Sequence, residues 1–282
     1  MTLTERIIGN IRDLPTLPTV YLALSEVIAD PCSTAADVSR IVSCDQASSA
    51  RVLRLANSVL YGFPGQIDTI SRAVVVLGFD EVRNLVLSTT VMDLFSKQDT
   101  AFSFRPVDFW AHSVAVGTAT RLIGQACRMP NPENCFAAGV LHDIGKLAFF
   151  EFAEKEFNRA LDQANKGQLS LYETEQEFLG MDHSRGGHLL VEKWNLPPDI
   201  RQAIRCHHRG VTEEGPDLLT AAVHIADILV RALELGFGGD ELIPRPNAQA
   251  WDLLQLPPQS LSRIAPDLLS NFQEAVEIMG LH

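Results

Sequence analysis

The stretch Ile70-Ser71-Arg72-Ala73-Val74-Val75-Val76-Leu77-Gly78 decides the fold class of this 282-residue chain. Its apolar run, Ala73 to Leu77, has the composition of a buried strand. Periodicity cannot separate such a run from a buried helical segment, so length and flanks must arbitrate. The run is short, Gly78 closes it, and helical patterns stand on both sides. It reads as a helix from Ile70 to Leu77. With that reading the strand signal disappears, because alternation of apolar and polar residues over a strand's length is hard to find elsewhere. The expected fold class is all-α.

Working outward, Leu22, Leu24, Val27 and Ile28 recur at helical spacing up to Asp30-Pro31. Thr34 stands where an N-cap belongs, before a helix through Val38 and Ile41. Asp45 opens the next helix, with Val52, Leu53, Leu55 and Ala56 on its apolar face. Tyr61-Gly62-Phe63-Pro64-Gly65 breaks it. Past Gly78, Asp80 is placed to cap a longer helix through Val82, Leu85, Val86 and Leu87. The polar stretch from Ser96 to Ser103 then changes the texture and marks an expected boundary near residue 100. A long helix follows from Pro106, a favoured first helical position, to about Arg128. Another runs from about Asn134 to Phe150 and contains His142 and Asp143. Further helices are expected near 152–165, 170–179, 184–194, 198–207 and 217–235. Gly236 to Gln249, with three Gly and two Pro, reads as a loop. Helical patterning returns near Trp251 and from Pro258 to Met279. The expected organisation is a helical unit over 1–100, a second over 101–235, and a loop with a C-terminal helical extension over 236–282.

Composition narrows the function. The chain is 46% hydrophobic, enough to bury a core. Lys and Arg total 23 against 35 Asp and Glu, a formal charge of -12. That excess of acid excludes a non-specific nucleic-acid binder or an anionic-membrane binder, since phosphates are held mainly by Lys and Arg. The five cysteines (Cys32, Cys44, Cys127, Cys135, Cys206) are odd in number and form no C-x-x-C pair. They suit a reducing compartment rather than a disulfide framework. No apolar run approaches the ~18 residues of a membrane span. The nearest, Cys135 to Phe150, is broken by His142, Asp143 and Lys146. The charged N-terminus lacks a secretory core, so a soluble, cytoplasmic protein is expected.

The chemistry gathers in the second half. His142-Asp143 is followed by Gly145 and Lys146. Asp108 and His112 lie four apart on the preceding helix and so share a face. His183, the pair His207-His208, His224 and Asp227 complete the set, which takes six of the eight histidines. Imidazole nitrogens and carboxylate oxygens are ligands for iron, manganese and zinc. A carboxylate can bridge two metals, and a bridged pair about 3.5–4 Å apart can activate water and clamp a phosphoryl group. Lys146, one turn beyond His142, is a cation that a phosphate could separate from such metals. The same residues also suit hydrogen-bonded core histidines and solvated helix faces. Arg51 and Arg54 suit a small anion site or a solvent-facing surface, and the loop Tyr61 to Gly65 is a candidate partner surface.

The order His112, His142-Asp143-Ile144-Gly145-Lys146, His183, His207-His208 and Asp227 resembles the HD superfamily of metal-dependent phosphohydrolases. Leu14-Pro15-Thr16-Leu17-Pro18, the segment Asp45 to Ser58 with Tyr61-Gly62, and Ile70 to Gly78 resemble the HDOD signalling domain. So does the stretch with His183, Gly187, Trp194, Leu196-Pro197 and Ile204. The likeness covers about residues 10–230. It implies an N-terminal helical bundle packed on an HD-like helical half, and a regulatory module in signal transduction. Many members lack HD metal ligands, whereas this chain keeps the set. By motif position in the related HD-GYP phosphodiesterases, Asp108, His112, His142, Asp143, His183, His207, His208 and Asp227 would be ligands. They would hold divalent metal, two ions of iron, manganese, zinc or nickel, with Asp143 bridging and Lys146 on phosphate. Arg209-Gly210-Val211 follows His208 where the run to Gly-Tyr-Pro would begin, which argues against cyclic-dinucleotide hydrolysis. The implied partners are signalling proteins or a small phosphorylated ligand. The alternative is an active metal-dependent phosphohydrolase, with Asp143 and Lys146 catalytic, acting on a nucleotide or cyclic nucleotide. The oligomeric state is not set by the sequence.

Overall fold

Thr34 accepts from the Asp37 amide while the Asp37 carboxylate accepts from Thr34, a complete capping box. Ser170, Asp182, Asp217 and Asn247 likewise accept from amides in the first turns of their helices. Caps of this kind, with apolar residues at helical spacing, set most of the architecture. The computed structural model describes residues 2–13, 16–96, 105–130, 132–167 and 169–279. Leu14, Pro15, the residues after Ser96 in the expected boundary stretch, and His282 lie outside the described residues.

The helices are α1 (Leu3–Asp13), α2 (Thr19–Ala29), α3 (Ala35–Val42), α4 (Gln46–Ala56), α5 (Ile70–Leu77), α6 (Phe79–Ser96), α7 (Pro106–Ala126) and α8 (Glu133–Leu141). They continue as α9 (Ile144–Gly167), α10 (Leu171–Leu179), α11 (His183–Lys193), α12 (Pro198–Cys206), α13 (Leu218–Ala232), α14 (Ala248–Leu254) and α15 (Pro258–Met279). Among the described residues no β-strand occurs, so the all-α expectation holds. Ile70 to Leu77 is a helix, ended by Gly78 at φ 93°.

The chain divides into two units. The smaller comprises 17–98 and 266–282, the larger 1–16 and 99–265. In the smaller, α3 packs on α2 and α5, and α6 on α2 and α4. Leu24, Val38, Val42, Val52, Leu55 and Leu85 are fully buried there. Arg51 is half-buried and its charge is taken by an acid of the same unit. Its guanidinium forms a two-point ion pair with Asp93, with Nη1 2.6 Å from Oδ1. The Tyr61 hydroxyl donates to Glu81, 2.6 Å away.

In the larger unit, α7 packs along α8 and α13, and α9 along α10 and α11. Two backbone crossings set the spacing. A Cβ on Gly139 would stand 2.6 Å from Gly117 Cα, so α7 and α8 touch main chain to main chain. A Cβ on Gly145 would stand 2.0 Å from the His183 carbonyl oxygen, which brings α9 equally close to α11. Phe109, Phe136, Phe149 and Phe157 are fully buried in this unit, each worth roughly 1.5–3 kcal/mol of transfer free energy. Trp110 and Trp194 are core residues.

Two boundaries differ from the sequence reading. His142 and Asp143 are not inside a helix but form the turn between α8 and α9. The break expected after Phe150 falls at Ala153, whose backbone is non-helical (φ -147°, ψ 40°) and divides Ile144–Gly167 into two helical stretches. Asp80 lies inside the first turn of α6 and pairs with Arg83 at 2.8 Å rather than capping the helix. Helix α1 had no counterpart in the sequence reading.

Candidate metal centre

His142 closes α8 and turns its Nδ1 onto the Gly139 carbonyl, 2.7 Å away. His207 closes α12 and does the same to Ile204, at 2.8 Å. His183 opens α11 with its Nδ1 2.5 Å from Glu175 Oε2. In His142 and His207 an outer carbonyl takes the Nδ1 proton and leaves the Nε2 lone pair facing inward, the form in which imidazole binds a metal, while His183 makes the same outer contact to a carboxylate.

Asp143 stands between these rings and is fully buried. Its Oδ2 lies 3.2 Å from His142 Nε2 and 3.8 Å from His112 Nε2. Its Oδ1 lies 3.0 Å from His183 Nε2 and 3.6 Å from His207 Nε2. Asp227, on α13, brings Oδ1 to 3.2 Å from His112 Nε2 and 3.8 Å from His142 Nε2. His208 Nε2 is 2.7 Å from His183 Nε2. Two triads result, His112–His142–Asp227 and His183–His207–His208, each with ligand atoms within 4.8 Å of one another. A third such group, His142–Asp143–His207, spans them.

The Nε2 atoms of His112, His142 and His207 and Asp143 Oδ1 are buried without a partner in hydrogen-bonding geometry. Each such atom costs about 1–3 kcal/mol. All four are electron-pair donors within these overlapping groups, so the residues fit divalent cations.

Two buried cations balance the acids. Lys146 Nζ lies 2.5 Å from Asp143 Oδ2 and 2.6 Å from the Gly238 carbonyl oxygen. Arg231 Nε lies 3.0 and 3.2 Å from the oxygens of Asp227, and its Nη1 3.0 Å from Asp240 Oδ1. Burial would raise both carboxylates, but His142 and Lys146 hold Asp143, and Arg231 and His112 hold Asp227, well below the usual range. Burial lowers His207 and His208, helped by neighbouring imidazoles. His183 is the exception. Burial opposes its charge, yet Glu175 and Asp143 raise it to about 9.

A segment beyond α13 walls the centre. The Phe237 amide donates to the Asp108 carbonyl at 3.0 Å, and Gly238 and Asp240 are held by Lys146 and Arg231. Beside it a cavity of about 430 Å³ reaches His112 past Glu234, Asp240 and Glu241.

The fold thus converges His112, His142, Asp143, Lys146, His183, His207, His208 and Asp227. Asp108, also expected as a ligand, is in none of the candidate ligand groups among the described residues. The Asp108 side chain is 39% exposed and lies 3.6 Å from Arg105 Nε. His224 has a different duty: Nδ1 donates to the His207 carbonyl at 2.7 Å, and Nε2 accepts from the Asn247 amide at 3.0 Å. Glu175, Arg231, Asp240 and the 236–240 segment were not anticipated.

Comparison with known proteins shows the kinship of the chain. An uncharacterized protein of Treponema pallidum (strain Nichols) is 26% identical over 246 residues, 86% of this chain and 47% of that protein. The chain thus spans about half the length of that relative. The crystal structure of an HDOD domain protein of unknown function from Geobacter sulfurreducens superposes with a TM-score of 0.79 at 27% identity, covering 99% of this chain and 97% of that one. A Shewanella amazonensis SB2B structure provisionally named a phosphohydrolase shares the fold, with a TM-score of 0.73 at 24% identity over 97% of this chain and 98% of that one. Residues 14–210 match the HDOD domain, and the chain belongs to the HDOD domain family.

Proposed function

We propose that this protein is a regulatory module of signal transduction whose HD half holds two divalent ions, iron, manganese, zinc or nickel. The observation that carries the reading is Asp143, which offers one oxygen to each triad. His112, His142 and Asp227 would hold one ion, His183, His207 and His208 the other, with Asp143 bridging. When bound, such a pair supplies Lewis acidity and a water of lowered pKa.

The surroundings favour regulation over phosphoester hydrolysis. The cavity leading to His112 presents Glu234 and Glu241, an acidic approach that attracts cations and repels nucleotides. Arg231 is occupied by Asp227 and Asp240. Lys146, read from the sequence as a phosphate contact, is fully buried on Asp143 and Gly238. The partners that fit are signalling proteins, or a small ligand that the centre's occupancy controls. No helix among the described residues is long and apolar enough to cross a membrane.

Elemental analysis of protein purified without oxygen tests the centre. Two ions per chain are expected, and less than about a tenth of an equivalent overturns it. A screen of nucleotides and cyclic nucleotides tests the role: no turnover above Asp143→Ala is expected. Turnover that this substitution abolishes would make the protein a phosphohydrolase with Asp143 and Lys146 in its active site.

A further inference from the structure

We infer that Glu175 is a positioning residue of the centre, supplying through His183 the negative charge that the second triad lacks. The inference rests on the two-ion reading above.

The asymmetry is in the ring partners. His142 and His207 lean on neutral backbone carbonyls. His183 leans on a carboxylate, and that carboxylate also accepts from the His183 backbone amide at 2.7 Å. One oxygen of Glu175 therefore fixes both the ring and the first peptide of α11. Glu175 comes from α10, is fully buried, and leaves Oε1 without a hydrogen-bond partner. A buried carboxylate is costly unless positive charge stands near it. Both hydrogen bonds to Glu175 come from His183, so that ring is its first positive partner, with Lys146 the next.

Charge accounting leads the same way. The first triad contains Asp227, which Arg231 already neutralises. The second contains only imidazoles and shares one oxygen of Asp143. Three neutral rings and half a carboxylate are a weak set for a divalent ion. A carboxylate behind one ring raises its basicity and locks its orientation, and loss of such a partner weakens metal binding about 10–100-fold. Glu175 thus gives the second triad its strength, and the two ions differ in their dependence on it.

The test uses the whole chain, stripped with chelator and titrated with Mn(II) and with Co(II), in wild type, Glu175→Gln and Glu175→Asp. Glutamine can still accept both hydrogen bonds but carries no charge. A merely structural acceptor would survive that change with metal binding unaltered. The expected result is one ion bound as in wild type and the other weakened about 10–100-fold. The Co(II) absorption of one site should change, and the melting temperature of the stripped protein should stay near wild type. Glu175→Asp, keeping the charge on a shorter arm, should fall between. Two ions bound by Glu175→Gln with wild-type affinity overturn the inference while leaving the two-ion centre standing. A wild type binding fewer than two ions overturns the centre as proposed, and this role with it. If Glu175→Gln does not fold, Glu175→Asp decides: unaltered affinity overturns the role.

Discussion

Lys146 reaches back three residues to Asp143, with Nζ 2.5 Å from Oδ2 and both side chains fully out of solvent. The lysine therefore acts as an internal counter-charge to the Asp143 carboxylate. It also holds Gly238, which ties the charge balance of the centre to the segment that walls it.

Removing the carboxylate alone should therefore harm the fold as well as the centre. Asp143→Ala leaves a buried ammonium with one carbonyl partner, and breaking such a pair costs about 3–5 kcal/mol. The double variant Asp143→Ala with Lys146→Met should recover most of that loss. Neither should retain the bridged ions. Urea unfolding beside metal analysis reads both effects, and equal stability of the two variants would argue against the counter-charge role.

Asp108 should be dispensable. With its carboxylate on Arg105 and partly exposed, Asp108→Asn is expected to keep wild-type metal content and to change stability by no more than about 0.5 kcal/mol. Loss of an ion in this variant would restore Asp108 to the ligand set.

The Gly139–Gly117 crossing sets the distance between His112 and His142. Gly139→Ala places a methyl against backbone that has no side chain to move aside. A loss of about 1–3 kcal/mol is expected, with weaker binding at the first triad than at the second. Metal titration of the folded variant tests this, and unchanged affinity at both would show that the helices separate without cost to the site.

Arg231 carries two acids at once. Arg231→Met strands Asp227 and Asp240 in the interior, at a cost of about 3–5 kcal/mol. It also cuts the Arg231 contacts to Asp240 and Leu242. Hydrogen exchange of residues 236–242 should quicken. Protection equal to wild type would assign the anchoring to Lys146 alone.

Much of the centre was legible because its ligands are rare residue types in a helical chain with few histidines elsewhere. His142-Asp143 and His207-His208 stand out for that reason, and the helices around them follow from apolar spacing and caps. What escaped was set by orientation rather than type. Asp108 and His112 share a helix face, yet a carboxylate at the start of α7 found Arg105 instead. The sequence could not show that turn. Glu175 had a faint signal: Leu171, Glu175 and Leu179 are four apart and all buried, so an acid falls on an apolar stripe. Glu173 and Glu177 on the same helix are exposed, and nothing in the residue type separates the three. The turn at His142-Asp143 was missed because both residues are compatible with helix. Their place in a turn depends on the approach of α11 at Gly145, a contact distant in sequence.

The HDOD match ends at residue 210, while Asp227, Arg231 and Gly238 lie downstream of it. A fragment trimmed to that span would still be recognisable as kin, and would carry every imidazole of both triads. It would lack the acid of the first triad, that acid's guanidinium, and the carbonyl on which Lys146 rests. Kinship and a finished pocket are thus recorded in different lengths of the same polypeptide, and only the longer one encloses the lysine.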